Sequence, residues 1–167
     1  MRRRIHVTGN AGAGKTTLAV RLGAALGVPV ASLDSVVWGR GWSVTPARQR
    51  LEAELRLTEA REWIIEGVSR HVRDKSDVVI FLDVSRFQCL WRCMKRNWRY
   101  LFRSRPGLPE DCPEWKIVPR LIRIIWQFPS GPRANILVEA SQGNGDKYRV
   151  IRHEREIDDL VSELRGG

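Results

Sequence analysis

At 167 residues the chain is long enough for one domain around one sizeable core, and its 29 Lys and Arg against 19 Asp and Glu leave a net charge of +10, which points to anionic partners. Phosphorylated metabolites and nucleic acid both meet that description, whereas a membrane-spanning helix is excluded because no apolar stretch approaches the ~20 residues it needs. Three cysteines, Cys89, Cys93 and Cys112, form an odd number without metal-ligand spacing, so reduced packing thiols in the cytoplasm are expected.

The chain begins Met1-Arg2-Arg3-Arg4, and the apolar run behind it is about four residues long, so it reads as a first strand, Ile5-His6-Val7-Thr8, rather than a secretion signal. His6 is expected to be packed inside that strand. Gly9-Asn10-Ala11-Gly12-Ala13-Gly14-Lys15-Thr16 follows, and then Thr17 to Leu26 with apolar residues at helical spacing. Strand, G-x-x-x-x-G-K-[ST] and helix together cradle a nucleotide triphosphate. The glycines let several backbone N–H groups turn toward one anion, and the helix N-terminus adds about half a positive charge there. Residues 9–17 are therefore the candidate ATP or GTP site, with Lys15 on the β- and γ-phosphates and the Thr16 hydroxyl on Mg²⁺.

Val28 to Leu33 reads as a second strand ending at Asp34, and residues 35–45 as a loop holding Trp38, Arg40 and Trp42. Thr45 is the expected N-cap and Pro46 the first residue of a helix running to about Ala60. Trp63 to Gly67 is a third strand with Glu66 at its end, and Val78 to Asp83 a fourth, apolar throughout as a strand buried on both faces should be. Ser85 and Gln88 form a capping box for a helix over 86–103, which leads into a proline-rich loop, Arg105 to Pro113. Helices are expected over 114–128 and 132–142, then a turn at Gly143-Asn144-Gly145, a fifth strand from Tyr148 to Ile151 and a helix over 154–165. The alternation predicts a three-layer α/β domain with a five-stranded parallel sheet, whose ligands bind at the carboxyl ends of the strands.

Three carboxylates stand at those ends: Asp34, Glu66 and Asp83. Phosphoryl transfer needs Mg²⁺ near Thr16, commonly with help from a strand-end acid, and a hydroxyl acceptor also needs a base. Glu66 and Asp34 leave a hydroxyl acceptor open, while Arg70 and Arg40 favour an acceptor that carries an anion. For Asp83, metal support and simple turn chemistry stand as equal readings. On the 86–103 helix, Phe87, Leu90, Trp91, Met94, Trp98, Leu101 and Phe102 share one stripe, with Arg92, Lys95, Arg96, Arg99 and Arg103 mostly off it. That pattern fits a packed helix with a solvated basic face, a lid whose arginines reach the transferred phosphoryl group, or a face for nucleic-acid phosphates. Trp38 and Trp42 suit stacking on a base or sugar and equally suit plugging a small core.

Glu66-Gly67-Val68-Ser69-Arg70 has the spacing of the D-G-x-x-R motif of adenylate kinases and related nucleoside monophosphate kinases, and Leu82-Asp83-Val84-Ser85 through Arg92 and Arg96 is similar to their strand-to-lid segment. Leu33-Asp34 with Trp38 and Gly41-Trp42, then Trp63 to Gly67, then Cys112-Pro113-Glu114, resemble small adenylate-kinase-like proteins labelled "DNA topology modulation" proteins, over residues 5 to about 165. The resemblance implies an adenylate-kinase-like P-loop fold with an acceptor-binding insertion near 35–60 and a basic lid over 92–123. It implies an ATP- and Mg²⁺-dependent phosphotransferase for a small metabolite such as a nucleotide or nucleoside. Lys15, Asp34, Glu66, Arg92 and Arg96 would carry the chemistry, with Thr16 and Glu66 at the metal and Arg92 also on ATP. Asp34, Trp38, Arg40, Arg70 and Arg123 would hold the acceptor, and His153 would lie near adenine. The label makes a nucleic-acid-associated NTPase the alternative. The sequence departs from the family in placing Glu66 where it has Asp, and in lacking Phe-Pro between Gly67 and Arg70.

Overall fold

The computed structural model describes residues 3–99, 114–142 and 147–166. Five strands form one parallel sheet: β1 (Arg4–Gly9), β2 (Val30–Ser32), β3 (Trp63–Glu66), β4 (Val78–Leu82) and β5 (Tyr148–Ile151), in the spatial order β2-β3-β1-β4-β5. Flanking them are α1 (Lys15–Leu26), α2 (Asp34–Val37), α3 (Ala47–Thr58), α4 (Arg70–Lys75), α5 (Arg86–Arg99), α6 (Glu114–Gln127), α7 (Pro132–Ser141) and α8 (Arg155–Gly166). β1 pairs with both β3 and β4, so the phosphate loop that follows it leaves the middle of the sheet. β3 is buried along its length and β4 nearly so, which is why both read as unbroken apolar runs. The main core joins Ile5 and Val7 of β1, Leu18 and Leu22 of α1, Ile64, Ile80 and Leu160.

Several local expectations change. Residues 34–37 are helical rather than loop, because the Leu33 carbonyl accepts the N–H groups of Val36 and Val37 while Ser32 Oγ accepts that of Asp34. Beyond them Trp38 and Val44 form an antiparallel bridge, and Gly39 N–H donates to Ser43 O, closing a tight loop with Trp42 in the left-handed region at φ 63°. Thr45 is not the cap of α3: its N–H donates to Val37 O, and Pro46 stands at the N-cap with no side-chain bond. Ser85 does cap α5, its Oγ accepting Gln88 N–H at 3.3 Å. The loop Arg105–Pro113, the Gly143-Asn144-Gly145 turn and Cys112 lie outside the described residues.

Part of the apolar stripe of α5 turns away from the core, although Leu90 packs against it. Phe87, Trp91 and Met94 are 64 %, 67 % and 59 % exposed, and the helix instead buries Cys89, Cys93 and Asn97. The reason lies beneath it. A Cβ built on Gly12 would stand 2.4 Å from Cys89 O and 2.7 Å from Cys93 Sγ, so α5 rests directly on the phosphate loop and only small side chains fit between them. Burial there pushes the Cys89 thiol up to about 11.

Candidate active site

The phosphate loop and the start of α1 make the floor of the site. Gly14, the N-cap residue, is left-handed at φ 100°, and no side chain caps the helix, so the N–H groups of its first turn have no intrahelical partner. Asn10 is buried, with Nδ2 donating to Ile125 O at 3.1 Å and Oδ1 accepting Ala11 N–H at 2.8 Å, and its carbonyl accepts both Ala13 N–H and Lys15 Nζ, the latter at 3.0 Å. The Asn10 side chain thus shapes the loop and faces away from the cleft, whereas Gly9, Ala11, Gly12, Ala13, Gly14, Lys15, Thr16 and Thr17 line it.

Glu66 is buried at the end of β3, where its register partner in β1 is Val7, and its Oε1 accepts from Thr16 Oγ1 at 3.1 Å and from Ser32 Oγ at 2.5 Å. Three strand-end or helix-start oxygens therefore meet under the phosphate loop. Ser32 was missed by sequence reasoning, since serine at a strand end carries no chemical signature. Among the described residues no cluster of three or more His, Cys, Asp or Glu could hold a metal ion by itself. Thr16 and Glu66 fit Mg²⁺ in a different way, because that ion prefers one or two protein oxygens and completes its octahedron with water and substrate phosphates. Asp34 opens α2 beside Ser32 and also lines the cleft.

Overhead, Arg92 of α5 sits against the loop, with Nη1 3.5 Å from Ala13 O and Nη2 2.6 Å from Glu154 Oε1. Arg96 lines the same cleft, its Nη2 3.5 Å from Asn97 Oδ1 and its Nε buried without a partner among the described residues. The cleft measures about 1950 Å³. Clefts that take one drug-sized ligand measure about 300–1,000 Å³, so this one is large enough for two bound molecules. Because β2 and β5 are opposite edges of the sheet, Trp38 and Trp42 border the cleft on one side of the phosphate loop and Arg152 to Asp158 on the other, with His153 among them.

Four sequence-derived assignments change. Arg70 is 82 % exposed on its side chain, lies 4.0 Å from Asp74 one helical turn on, and does not line the cleft, because Ser69 caps α4 and turns the helix start to solvent. Arg40 and Arg123 are exposed and do not line it either, Arg123 because its side of α6 lies off the stripe of Ile117, Leu121 and Ile124 that does. Asp83 holds a structural clamp, with Arg133 Nε at 2.7 Å and Arg152 Nε at 3.6 Å, and stands outside the cleft. Arg50 of α3 takes a place that sequence reasoning gave to Arg70, and lines the cleft beside Trp38 and Trp42. The two tryptophans are edge to face with centroids 5.5 Å apart, and Arg120 of α6 lies 4.7 Å over the Trp38 ring. They form a half-buried wall of the cleft rather than a sealed core.

A shikimate kinase from Bacteroides thetaiotaomicron superposes with a TM-score of 0.56 over 98 % of this chain and 96 % of that one, at 20 % identity. The chain has the fold of the P-loop kinases. A gluconokinase from Sinorhizobium meliloti 1021 matches at TM-score 0.55 over 99 % of this chain and 90 % of that one, with 16 % identity. A sugar kinase from Janibacter sp. HTCC2649 gives 0.55 over 98 % and 92 %, also at 16 % identity. No family model and no curated protein matches the sequence.

Proposed function

We propose that the protein transfers the γ-phosphoryl group of ATP to a small-molecule acceptor. The observation that carries this reading is the union, in one cleft, of an uncapped helix N-terminus after a glycine loop with the Thr16–Glu66–Ser32 cluster below it and an aromatic acceptor wall beside it. The loop amides and Lys15 would bind the triphosphate, and Lys15, now resting on the Asn10 carbonyl, needs only to exchange one oxygen for another. Thr16 and Glu66 would hold Mg²⁺, which when bound supplies positive charge between the phosphates. Arg92 and Arg96 would offset charge on the transferred group, and their approach over the loop supports that role.

A hydroxyl acceptor is the better fit to the strand-end acids. Asp34, which lines the cleft, would take the proton as the acceptor oxygen bonds to the γ-phosphorus and the bond to the β–γ bridging oxygen breaks, releasing ADP. The structural neighbours are named for shikimate, a sugar and gluconate, all small molecules bearing hydroxyls. The test is a panel of sugars, hydroxy acids, nucleosides and nucleotides incubated with labelled ATP. A small phosphorylated product is expected, and Lys15→Ala should lower its rate by about 100-fold or more while leaving the circular dichroism spectrum unchanged. Hydrolysis stimulated by nucleic acid, with no small acceptor labelled, would overturn the reading, as would normal turnover by the Lys15 variant.

A further inference from the structure

The guanidinium of Arg50 is out of character for its helix. Arg48, two residues earlier, is exposed and pairs with Glu52 across one turn. Arg50 has the same opportunity with Glu54, four residues on, but Glu54 Oε2 accepts instead from Ser69 Oγ at 2.7 Å. The Arg50 side chain bends into the cleft, where its Nε is cut off from water and bonds to no acceptor among the described residues. A buried N–H on a charged group, with no acceptor among the described residues, is satisfied when a ligand in the cleft brings an oxygen to it. Trp38 and Trp42 stand beside it as a rigid aromatic wall, and Arg120 over Trp38 adds a second positive charge on that wall. In the same cleft Glu66 accepts from Thr16 and Ser32, and Asp34, whose N–H donates to Ser32 Oγ, also lines it.

We propose that the acceptor is a hydroxylated organic anion, whose carboxylate or phosphate is gripped by Arg50 against the tryptophan wall while a hydroxyl at its other end faces Asp34. This rests on the kinase reading and names the acceptor's chemistry within it. A guanidinium presents parallel donors that match two oxygens of a carboxylate or phosphate, so the same site serves either anion. A neutral sugar would leave the buried Nε unpaired and bind less well for that reason.

The test compares gluconate, glucose 6-phosphate and glucose as probes, by isothermal calorimetry on protein loaded with MgADP. Gluconate and glucose 6-phosphate share a polyol skeleton with glucose and differ in the anion, so the first two arms also separate a carboxylate from a phosphate. At least one anion is expected to bind more tightly than glucose, and Arg50→Met to weaken that binding roughly tenfold to a hundredfold, the worth of a hydrogen bond to a charged group. Arg50→Lys should keep part of the affinity, and both variants should bind MgADP as the parent does, which also shows that they fold. Equal binding of glucose, no binding of either anion, or unchanged anion affinity in Arg50→Met would each overturn the proposal. Loss of MgADP binding in the parent protein would instead overturn the kinase reading, so the two failures are told apart.

Discussion

His6 offers the sharpest check on the energetics of the sheet. It is fully buried in the central strand, between Ile65 of β3 and Val79 of β4, with Nε2 3.2 Å from Gly67 O and Nδ1 without a partner among the described residues. Donation to Gly67 O places the proton on Nε2, and a second proton on Nδ1 would be buried with nothing to accept it. Burial first, and then the positive charge of Arg73, lower its pKa from 6.5 to about 3. A histidine with a depressed native pKa contributes stability that is complete above its unfolded pKa and is lost as pH falls through the window from 6.5 toward 3. Within that window each pH unit removes about 1.4 kcal/mol, so lowering the pH from 7.5 to 5 should cost about 2 kcal/mol from this residue alone. His6→Gln keeps an amide donor for Gly67 O and does not titrate. Urea unfolding of both proteins at the two pH values is the assay, and the parent should lose about 2 kcal/mol more than the variant, every other group being common to both. Parallel losses in the two proteins would refute the argument that the fold excludes the imidazolium.

Two further predictions concern packing around the site. Gly12→Ala meets both a left-handed backbone, φ +81°, and the atoms of α5, whereas Gly27→Ala has φ +67° and open space. The first should cost about 2–5 kcal/mol and the second about 1–2 kcal/mol, read from denaturation midpoints, and equal costs would dispose of the contact between α5 and the loop. Arg73 is buried and donates to both oxygens of Glu139, at 2.6 and 3.1 Å, while Tyr148 OH donates to the same carboxylate at 2.8 Å. Arg73 holds the Glu139 carboxyl below its ordinary range, and Arg73→Met, which strands that carboxylate, should destabilise the protein by about 2–4 kcal/mol in urea titrations at neutral pH.

The phosphate loop and the strands around it were legible because their constraints are local. A glycine-lysine-threonine turn between an apolar strand and a helix has few other uses, and a strand covered on both faces must be apolar throughout. The surroundings were not legible where a tertiary neighbour decides. Phe87, Trp91 and Met94 have the spacing of a core stripe, but the loop under α5 leaves room only for the thiols of Cys89 and Cys93, so the helix turns its aromatics outward. Arg70 and Arg50 look alike in sequence. Ser69 separates them physically, by capping α4 with one face of its hydroxyl and occupying Glu54 with the other, which leaves Arg50 Nε without a partner among the described residues and Arg70 in solvent.

Asn10 fastens the phosphate loop to α6 through the carbonyl of Ile125, and five residues earlier the same helix carries Arg120 over Trp38, a span of about 7.5 Å along the helix axis. One helix thus ties the phosphate loop to the tryptophan wall. If the proposed kinase reading holds, a change that shifts α6 to suit another acceptor also disturbs the loop that would hold the triphosphate. The opposite bank reaches the same floor by another route, Asp34 N–H donating to Ser32 Oγ and Ser32 Oγ to Glu66, so both banks of the cleft answer to the loop between them.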